Sequence, residues 1–395
     1  MAPTTRSQTK AATTRRLDSP CEPPVYSVDL SAPPEERYQQ ICADYKSQLE
    51  GIIPIYDDIL RITRHPRILD ALARKLLRRV HSTEETREMR GIATATSVPM
   101  HLVVAFNTFL DLMSGCSSGG ARVADAAAGG GVVHFRGLDW EMPALRQLMI
   151  CVDYVRAGSV VARAVTYAGY TGVLTGVREG LSISLNYRAR IGSPSSVFFH
   201  RLHQAALLFG FRPSIPSVLR QLLLSPLPPS LASIAETFPS IPSTPAYLTF
   251  CAPDKILILE KDLVTATIRQ SNGFLAVTNH DQRIESLSPD AWREIIDKDG
   301  PSHMHGDDMI LRDSMERKQC VMKLWTERTE RDRGRLTMAD VRQALEEQPV
   351  ANECTHFSCI MDPGVRGGGL VWVRAYYEPI EMDLVDVSSI ADSSA

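Results

Sequence analysis

Apolar residues recur at helical intervals in the first part of the chain. Between Pro34 and Val80 they lie three or four positions apart among charged residues, as in amphipathic helices. The positions concerned are Tyr38, Ile41, Tyr45, Leu49, Ile59, Leu60, Ile68, Leu69, Leu72, Leu76 and Leu77. This pattern predicts a helical unit over residues 26–115, preceded by a disordered tail over residues 1–25.

From Val132 onward the pattern changes to short β-branched and aromatic runs separated by Gly, Pro and charged residues. Such runs are typical of a sheet built strand after strand. They cover residues 132–140, 147–155, 160–170, 180–188, 255–261, 265–271, 274–281, 355–362 and 369–377. They predict a sheet-rich domain over residues 116–381, followed by a flexible tail over residues 382–395.

A proline-rich segment over about residues 193–245 interrupts the strands. It contains two apolar runs with helical spacing, residues 198–209 and 217–224. We interpret the segment as a helical insertion. Its apolar side chains fit two alternatives, namely core helices, or a lid or surface that contacts a lipid.

Composition narrows the class of protein. The 395 residues carry a net charge of −3, with 44% apolar and 23% charged residues, which is typical of a globular protein and not of a nucleic-acid-binding one. No apolar run approaches the roughly 18 residues of a membrane-spanning helix. The N-terminus lacks the apolar stretch of a secretory signal, and the cysteines form no CxxC pair. A cytoplasmic location is therefore expected, although the Arg-, Ser- and Thr-rich start also fits a transit peptide.

Candidate chemistry centres on Cys116. A thiol acts as a nucleophile only as the thiolate, so it needs a base and cationic or hydrogen-bonding neighbours. Arg136 and Asp139 lie on the next predicted strand. In a hairpin the two strands lie side by side, which predicts that the thiol, the guanidinium and the carboxylate come together.

The motifs around these residues resemble those of acid ceramidase and N-acylethanolamine acid amidase, which are N-terminal-nucleophile (Ntn) hydrolases related to bile-salt hydrolase and penicillin V acylase. In that family a Cys-Thr-Ser start is followed by a G-R-N-x-D strand, matched here by Cys116-Ser117-Ser118 and Arg136-Gly137-Leu138-Asp139. Further matches follow in the same order along the chain. They are Glu88-Met89-Arg90-Gly91, Tyr167 to Gly176, Leu185-Asn186, Thr278-Asn279-His280-Asp281 and Ser314-Met315-Glu316-Arg317.

The resemblance implies an α+β fold, the Ntn-hydrolase αββα sandwich of two mostly antiparallel sheets flanked by helices, with a helical N-terminal α-subunit. It also implies self-cleavage at Gly115-Cys116, which leaves an α/β heterodimer. The freed α-amine of Cys116 then accepts the thiol proton, and the thiolate attacks a lipid amide, first of all a ceramide. The remaining implied site residues are Asn186 and Asn279 as oxyanion donors, Asp139 as the group that holds the amine, and Arg136 and Arg317 as cationic partners.

Several alternatives remain open at this stage. An N-acylethanolamine amidase or a bile-salt or penicillin-V-type acylase fits as well, and Tyr187 in place of the family's Glu favours the acylases. An uncleaved lipid-binding relative without catalysis is the non-enzymatic alternative. Arg312 is an alternative to Arg317. The implied mechanism uses no cofactor and no metal, and the partners expected are a lipid amide and, transiently, a membrane surface, but no nucleic acid.

Overall fold

The chain forms two β-sheets that face each other, as seen in a computed structural model. The structure describes residues 22–109, 114–127, 129–188, 195–288, 291, 294, 307–331 and 336–381. The predicted tails, apart from residues 22–25, lie outside these ranges.

Residues that precede Cys116 form one strand and a series of helices. Their bounds are β1 (Val25–Asp29), α1 (Gln39–Asp44), α2 (Lys46–Glu50), α3 (Ile52–Ile62), α4 (Pro66–Leu76), α5 (Thr83–Thr96) and α6 (Met100–Phe109). The strand β1 is not predicted by the helical pattern. It follows a Pro-Pro pair and pairs with a strand of the main domain, so its extended conformation depends on a distant partner.

The remaining elements alternate strands with two groups of helices. They are β2 (Ser114–Val123), β3 (Gly131–Trp140), β4 (Met149–Arg156), β5 (Ser159–Tyr167), β6 (Thr175–Arg178), β7 (Leu181–Tyr187), α7 (Val197–Leu208), α8 (Ile215–Leu224), α9 (Leu231–Thr237), β8 (Ala246–Cys251), β9 (Ile256–Lys261), β10 (Ala266–Ser271), β11 (Phe274–Val277), α10 (Asp307–Arg331), α11 (Met338–Glu346), β12 (Thr355–Asp362) and β13 (Gly369–Ala375).

The described strands form an eight-stranded sheet in the order β1-β4-β5-β6-β7-β8-β9-β10 and a five-stranded sheet in the order β11-β2-β3-β12-β13. The parallel pair is β1 with β4, and the other neighbouring pairs within the described residues are antiparallel. The antiparallel hairpins agree with the short runs of the sequence.

Successive side chains of a strand point to opposite faces of its sheet, so each strand contributes to two packed layers. Val132 of β3 packs against Ile256 and Val277 between the sheets, whereas Phe135 faces outward and packs with Val321 of α10. On the other side α8 covers the eight-stranded sheet through buried side chains. The order helix, sheet, sheet, helix confirms the predicted αββα sandwich.

The N-terminal unit is joined to the main domain by buried charges. Glu88 of α5 accepts hydrogen bonds from both terminal nitrogens of Arg220 on α8, one of them over 2.7 Å, and also from Arg37 over 2.8 Å. Glu88 and Arg220 are both buried. Because either charge alone would be costly in this environment, the pair favours a single docked arrangement of α5 on α8.

Two helices, α4 and α7, expose apolar side chains that an amphipathic pattern would be expected to bury. Helix α4 is present, but Ile68, Leu69 and Leu72 are exposed, because the helix packs through its other face. Periodicity therefore identified the helix and not its buried side. In the insertion, α8 is a core helix, whereas Phe198, Phe199 and Leu202 of α7 are exposed. The core alternative applies to α8, whereas contact of α7 with a lipid stays a prediction.

Within the described ranges, none of the helices combines the length and apolar character that crossing a membrane requires.

A buried histidine between the sheets makes stability depend on pH. The two ring nitrogens of His134 lie 3.0 Å from Ser182 Oγ and 2.8 Å from Ser184 Oγ. Burial, together with the charge of Arg136, lowers the pKa of His134 from 6.5 to about 3. Between these values the unfolded chain binds a proton that the native state does not, so stability is lost as the pH falls through this window.

We therefore expect His134→Gln to weaken the dependence of stability on pH. Between about pH 7 and 5 the free energy of unfolding of the wild type should fall more steeply than that of the variant, by up to ~1.4 kcal/mol per pH unit below pH 6.5. Urea titrations at several pH values measure both slopes. Equal slopes would show that His134 is not held neutral in the native state.

Candidate active site

The β2–β3 hairpin brings the predicted nucleophile to its partners. Cys116 pairs with Leu138, Ser118 with Arg136 and Gly115 with Asp139. Directly paired residues of antiparallel strands point to the same face of the sheet. Cys116 and Arg136 therefore face the other sheet, whereas Asp139 faces α10. The hairpin prediction is confirmed, but the carboxylate and the guanidinium lie on opposite faces of β3.

The peptide bond between Gly115 and Cys116 lies within β2, and its N–H is bound. The Cys116 N–H donates to Asn279 Oδ1 over 2.7 Å. The side chain of Cys116 lies among the apolar residues between the sheets and is 0% exposed. In the continuous chain the thiol is thus closed off from solvent. The backbone nitrogen of Cys116 cannot accept a proton, because its lone pair is delocalised into the Gly115 carbonyl.

Arg317 connects the elements of the site. Its Nη1 donates to the Cys116 carbonyl over 2.7 Å and to Ser117 Oγ over 3.1 Å, and its Nη2 donates to Asn279 Oδ1 over 3.0 Å. It also lies 3.5 Å from Asp139 Oδ2 and 2.9 Å from Asp313 Oδ2. Arg317 is fully buried, so these contacts balance its charge.

The alternative arginine is excluded from this contact by helix geometry. Arg312 precedes Arg317 by five residues on α10, which places it about 140° away around the helix. Its side chain is exposed. The structure therefore places Arg317, and not Arg312, at Cys116.

Gly115 allows the close approach of the two charged groups to the peptide bond. A Cβ at this position would lie 3.2 Å from Asp139 Cβ, 3.5 Å from Asp139 Oδ2 and 3.7 Å from Arg317 Nη2. A larger residue would push against the ion pair. Glycine before the cysteine thus relieves a tight contact with Asp139 Cβ.

Asn186 lies between the sheets and is fully engaged. Its Oδ1 accepts from Arg136 and, over 2.9 Å, from Ser118 Oγ. Its Nδ2 donates to the carbonyls of Thr278 over 3.0 Å and Val277 over 3.2 Å. Arg136 donates further to the Leu185 carbonyl over 2.7 Å. In this arrangement Asn186 and Arg136 hold β7 against β2 and the end of β11.

Asn279 presents its oxygen, not its nitrogen, to Cys116. The Cys116 N–H and Arg317 are both donors, so they must face Oδ1, and Nδ2 donates to the Tyr187 carbonyl over 2.8 Å. The sequence predicted oxyanion donors at Asn186 and Asn279. In this structure the amide nitrogens of both contact backbone carbonyls, and the oxyanion role stays a prediction.

Burial and charge oppose each other at Asp139. Burial raises the pKa of its carboxyl, while Arg317 and a hydrogen bond from Thr355 Oγ1 over 2.7 Å act to lower it, and the net direction is upward. For Arg317, burial acts to lower the pKa, but Asp139 and Asp313 outweigh it and the pKa is raised. The arginine therefore stays charged, and it keeps a costly buried carboxylate in place.

Of the predicted residues, Asn279, Arg317 and Asp139 lie at Gly115 and Cys116, Asn186 and Arg136 bind each other on the opposite face of the sheet, and the structure adds others to them. Asp313, one helical turn before Arg317, and Thr355, beside Asp139, were missed. The i, i+4 spacing of Asp313 and Arg317 was a usable signal. Thr355 carried none, because it reaches Asp139 through the pairing of β12 with β3.

A family model described as the beta subunit of N-acylethanolamine-hydrolyzing acid amidase matches residues 22–81, which precede Cys116. A solved structure of the Caenorhabditis elegans N-acylethanolamine-hydrolyzing acid amidase ortholog is 25% identical and aligns with a TM-score of 0.46 over 63% of this chain and 94% of that chain.

Two curated relatives show the extent of the sequence match. The N-acylethanolamine-hydrolyzing acid amidase of Caenorhabditis elegans is 32% identical over 178 residues, 42% of this chain and 48% of that protein. The acid ceramidase of Homo sapiens is 27% identical over 187 residues, 42% of this chain and 46% of that protein. The chain spans about half the length of these relatives. The matches confirm the resemblance to acid ceramidase and N-acylethanolamine acid amidase that the motifs predicted.

Proposed function

We propose that this chain is an Ntn-type cysteine amidase that hydrolyses the N-acyl amide bond of a lipid, with ceramide as the first substrate to test. The observation that carries the proposal is the Gly115-Cys116 peptide bond. Asn279 holds the N–H of this bond, Arg317 holds the next carbonyl along the chain, that of Cys116, and Asp139 lies beside Gly115. A purely structural cysteine would not require this concentration of buried charge.

Self-cleavage is the first step of the proposal. The Cys116 sulfur attacks the Gly115 carbonyl carbon, the C–N bond breaks, and the thiol proton moves to the nitrogen. Water then hydrolyses the thioester, which leaves a carboxylate on Gly115 and a free amine and thiol on Cys116. Asn279 holds the Cys116 N–H of the reacting bond, and Arg317 holds Cys116 from its other side, through the carbonyl that follows the bond.

Cleavage supplies the base for the second reaction. The amine, with an ordinary pKa near 8, accepts the thiol proton as sulfur attacks the lipid amide. The lipid amine leaves with that proton, and water hydrolyses the acyl thioester to release a fatty acid. In this proposal Asn279 Oδ1, which binds the Cys116 N–H, and the Asp139 carboxylate hold the new amine, and Arg136, on the same face as Cys116, is the cationic partner.

An N-acylethanolamine is the second candidate substrate, because the match to the N-acylethanolamine-hydrolyzing relative has the higher identity of the two. Incubation with ceramide, N-acylethanolamine and conjugated bile acid, with detection of the released acid, distinguishes the candidates. Hydrolysis of a lipid amide supports the proposal. Absence of release from all three substrates by processed protein would contradict it.

A membrane surface is part of the proposal, as the source of the lipid. Phe198 of α7 is 68% exposed and Phe211 is 65% exposed. The guanidinium of Arg79 lies over the ring of Phe211. Arg79 follows α4, and the exposed face of that helix carries Ile68 and Leu72. Neighbouring apolar and basic side chains of this kind favour an interfacial contact.

We expect the double variant Phe198→Asp and Phe211→Asp to bind vesicles of phosphatidylcholine about tenfold more weakly than the wild type in co-sedimentation. Hydrolysis of a water-soluble short-chain amide should stay unchanged, because neither side chain contacts the site. Val371→Asp, at an exposed apolar position on β13, is the matched control. Undiminished sedimentation of the double variant would remove this surface from the proposal.

A further inference from the structure

A buried polar chain lies directly behind Asn279. His280 Nδ1 is 2.7 Å from Ser314 Oγ and 3.2 Å from Thr278 Oγ1, and His280 Nε2 is 3.5 Å from Glu285 Oε1. His280 is 2% exposed and Ser314 is fully buried. None of these groups takes part in the steps described above.

Ser314 joins two pieces of the site. Its Oγ accepts from the Asn279 N–H over 2.7 Å, and its carbonyl accepts from Thr278 Oγ1 over 2.9 Å. Ser314 also lies on α10 three residues before Arg317, on the same face of the helix. The position of this one side chain therefore sets the backbone of Asn279 relative to the guanidinium of Arg317.

The segment that carries Asn279 depends on such contacts. Strand β11 ends at Val277, so residues 278–281 have no ladder of strand hydrogen bonds to fix them. Glu285, which follows in the same connection, pairs with Lys318 of α10 and has its Oε1 3.5 Å from His280 Nε2. His280 is thus attached to α10 through Nδ1 at Ser314, and Glu285 and Lys318 lie on the other side of its ring.

The imidazole of His280 can bind Ser314 Oγ either as a hydrogen-bond donor or as an acceptor. Ser314 Oγ has one proton and two lone pairs, and the Asn279 N–H occupies one lone pair. When His280 Nδ1 carries a proton, it donates to the other lone pair, and the hydroxyl proton goes to Thr278 Oγ1 at 2.9 Å. When Nδ1 is bare, it accepts the hydroxyl proton. In both cases the contact with Ser314 is retained.

We propose that His280 is a positioning residue for the Cys116 site, because its contact with Ser314 fixes Asn279 and Arg317 at the Cys116 peptide group together. This inference rests on the proposed function. A shift of about 1 Å in such groups is enough to cost up to ~10²-fold in rate. Loss of the imidazole should therefore slow the reaction more than it weakens substrate binding.

The test compares His280→Leu with His280→Asn. Asparagine places an amide nitrogen near the position of Nδ1 and can bind Ser314, whereas leucine of similar volume cannot. We expect His280→Leu to slow self-cleavage and to lower kcat by about 10- to 100-fold with KM unchanged, and His280→Asn to stay within a few-fold of the wild type. If His280→Leu fails to fold, Ser314→Ala takes its place, and we expect it to lower kcat in the same way. His81→Leu, at an exposed site, is the control.

The outcomes separate the two proposals. Wild-type activity with an equally active His280→Leu overturns the positioning role and leaves the proposed function standing. Equal impairment of the Leu and Asn variants, or a fall in kcat that is matched by a rise in KM and a drop in Tm, also overturns it. A wild type that neither cleaves nor hydrolyses refutes the proposed function, and with it the site that His280 would serve.

Discussion

Cys116→Ala is expected to remain a single chain of 43.7 kDa and to hydrolyse no lipid amide, with activity at least about 10³-fold below that of the wild type. Alanine removes the sulfur that attacks in both reactions, so neither bond cleavage can begin. Because the side chain is small and buried among apolar residues, the variant should fold. A denaturing gel and an assay of fatty-acid release measure the two effects on one preparation.

The matched control is Cys42→Ala. Cys42 is also buried, on α1 of the N-terminal unit, and burial raises the pKa of its thiol to about 12. It should be an inert apolar side chain, so its loss should leave cleavage and hydrolysis intact. Persistent hydrolysis by Cys116→Ala, or equal loss of activity in the two variants, would remove Cys116 from the mechanism.

Arg317→Leu is expected to abolish cleavage and to lower the free energy of unfolding by about 3–5 kcal/mol, because it leaves the buried Asp139 without its main counter-charge. The exposed Arg312→Leu should change stability by no more than about 0.5 kcal/mol and leave cleavage unaffected. Denaturant titrations and gels of both variants measure the contrast.

A double variant separates the two roles of Arg317. Adding Asp139→Asn to Arg317→Leu removes the unbalanced charge, so part of the lost stability should return. Cleavage should not return, because Cys116 and Asn279 still lack the guanidinium that binds both of them. Additive losses of stability in the double variant would show that the two charges do not depend on each other.

The nearness of the two strands could be predicted from the sequence because the β2–β3 hairpin is a local structure. Cys116 pairs with Leu138 and Ser118 pairs with Arg136, so Cys116 and Arg136 lie on one face of it. The spacing of the residues did not by itself show which face of the strand each side chain occupies. An odd separation, such as that of Arg136 and Asp139, places residues on opposite sides of a strand, and the motif alone did not show which side served the thiol.

Contacts between distant segments could not be predicted from the sequence, because no local pattern encodes them. Asn186 and Asn279 could be predicted as site residues, but the direction of their amides is fixed by Arg136, Arg317 and the Tyr187 carbonyl, which come from other strands and a helix. No local pattern encodes those partners. The exposed apolar face of α4 illustrates the same limit, because periodicity does not say which surface will be covered.

The most direct test of the central claim is the mass and N-terminal sequence of the fragments of the purified protein. The account predicts two chains, residues 1–115 and 116–395, the second beginning with a free Cys116. A cut at any other bond, or an intact chain that hydrolyses lipid amides at full rate, would contradict it.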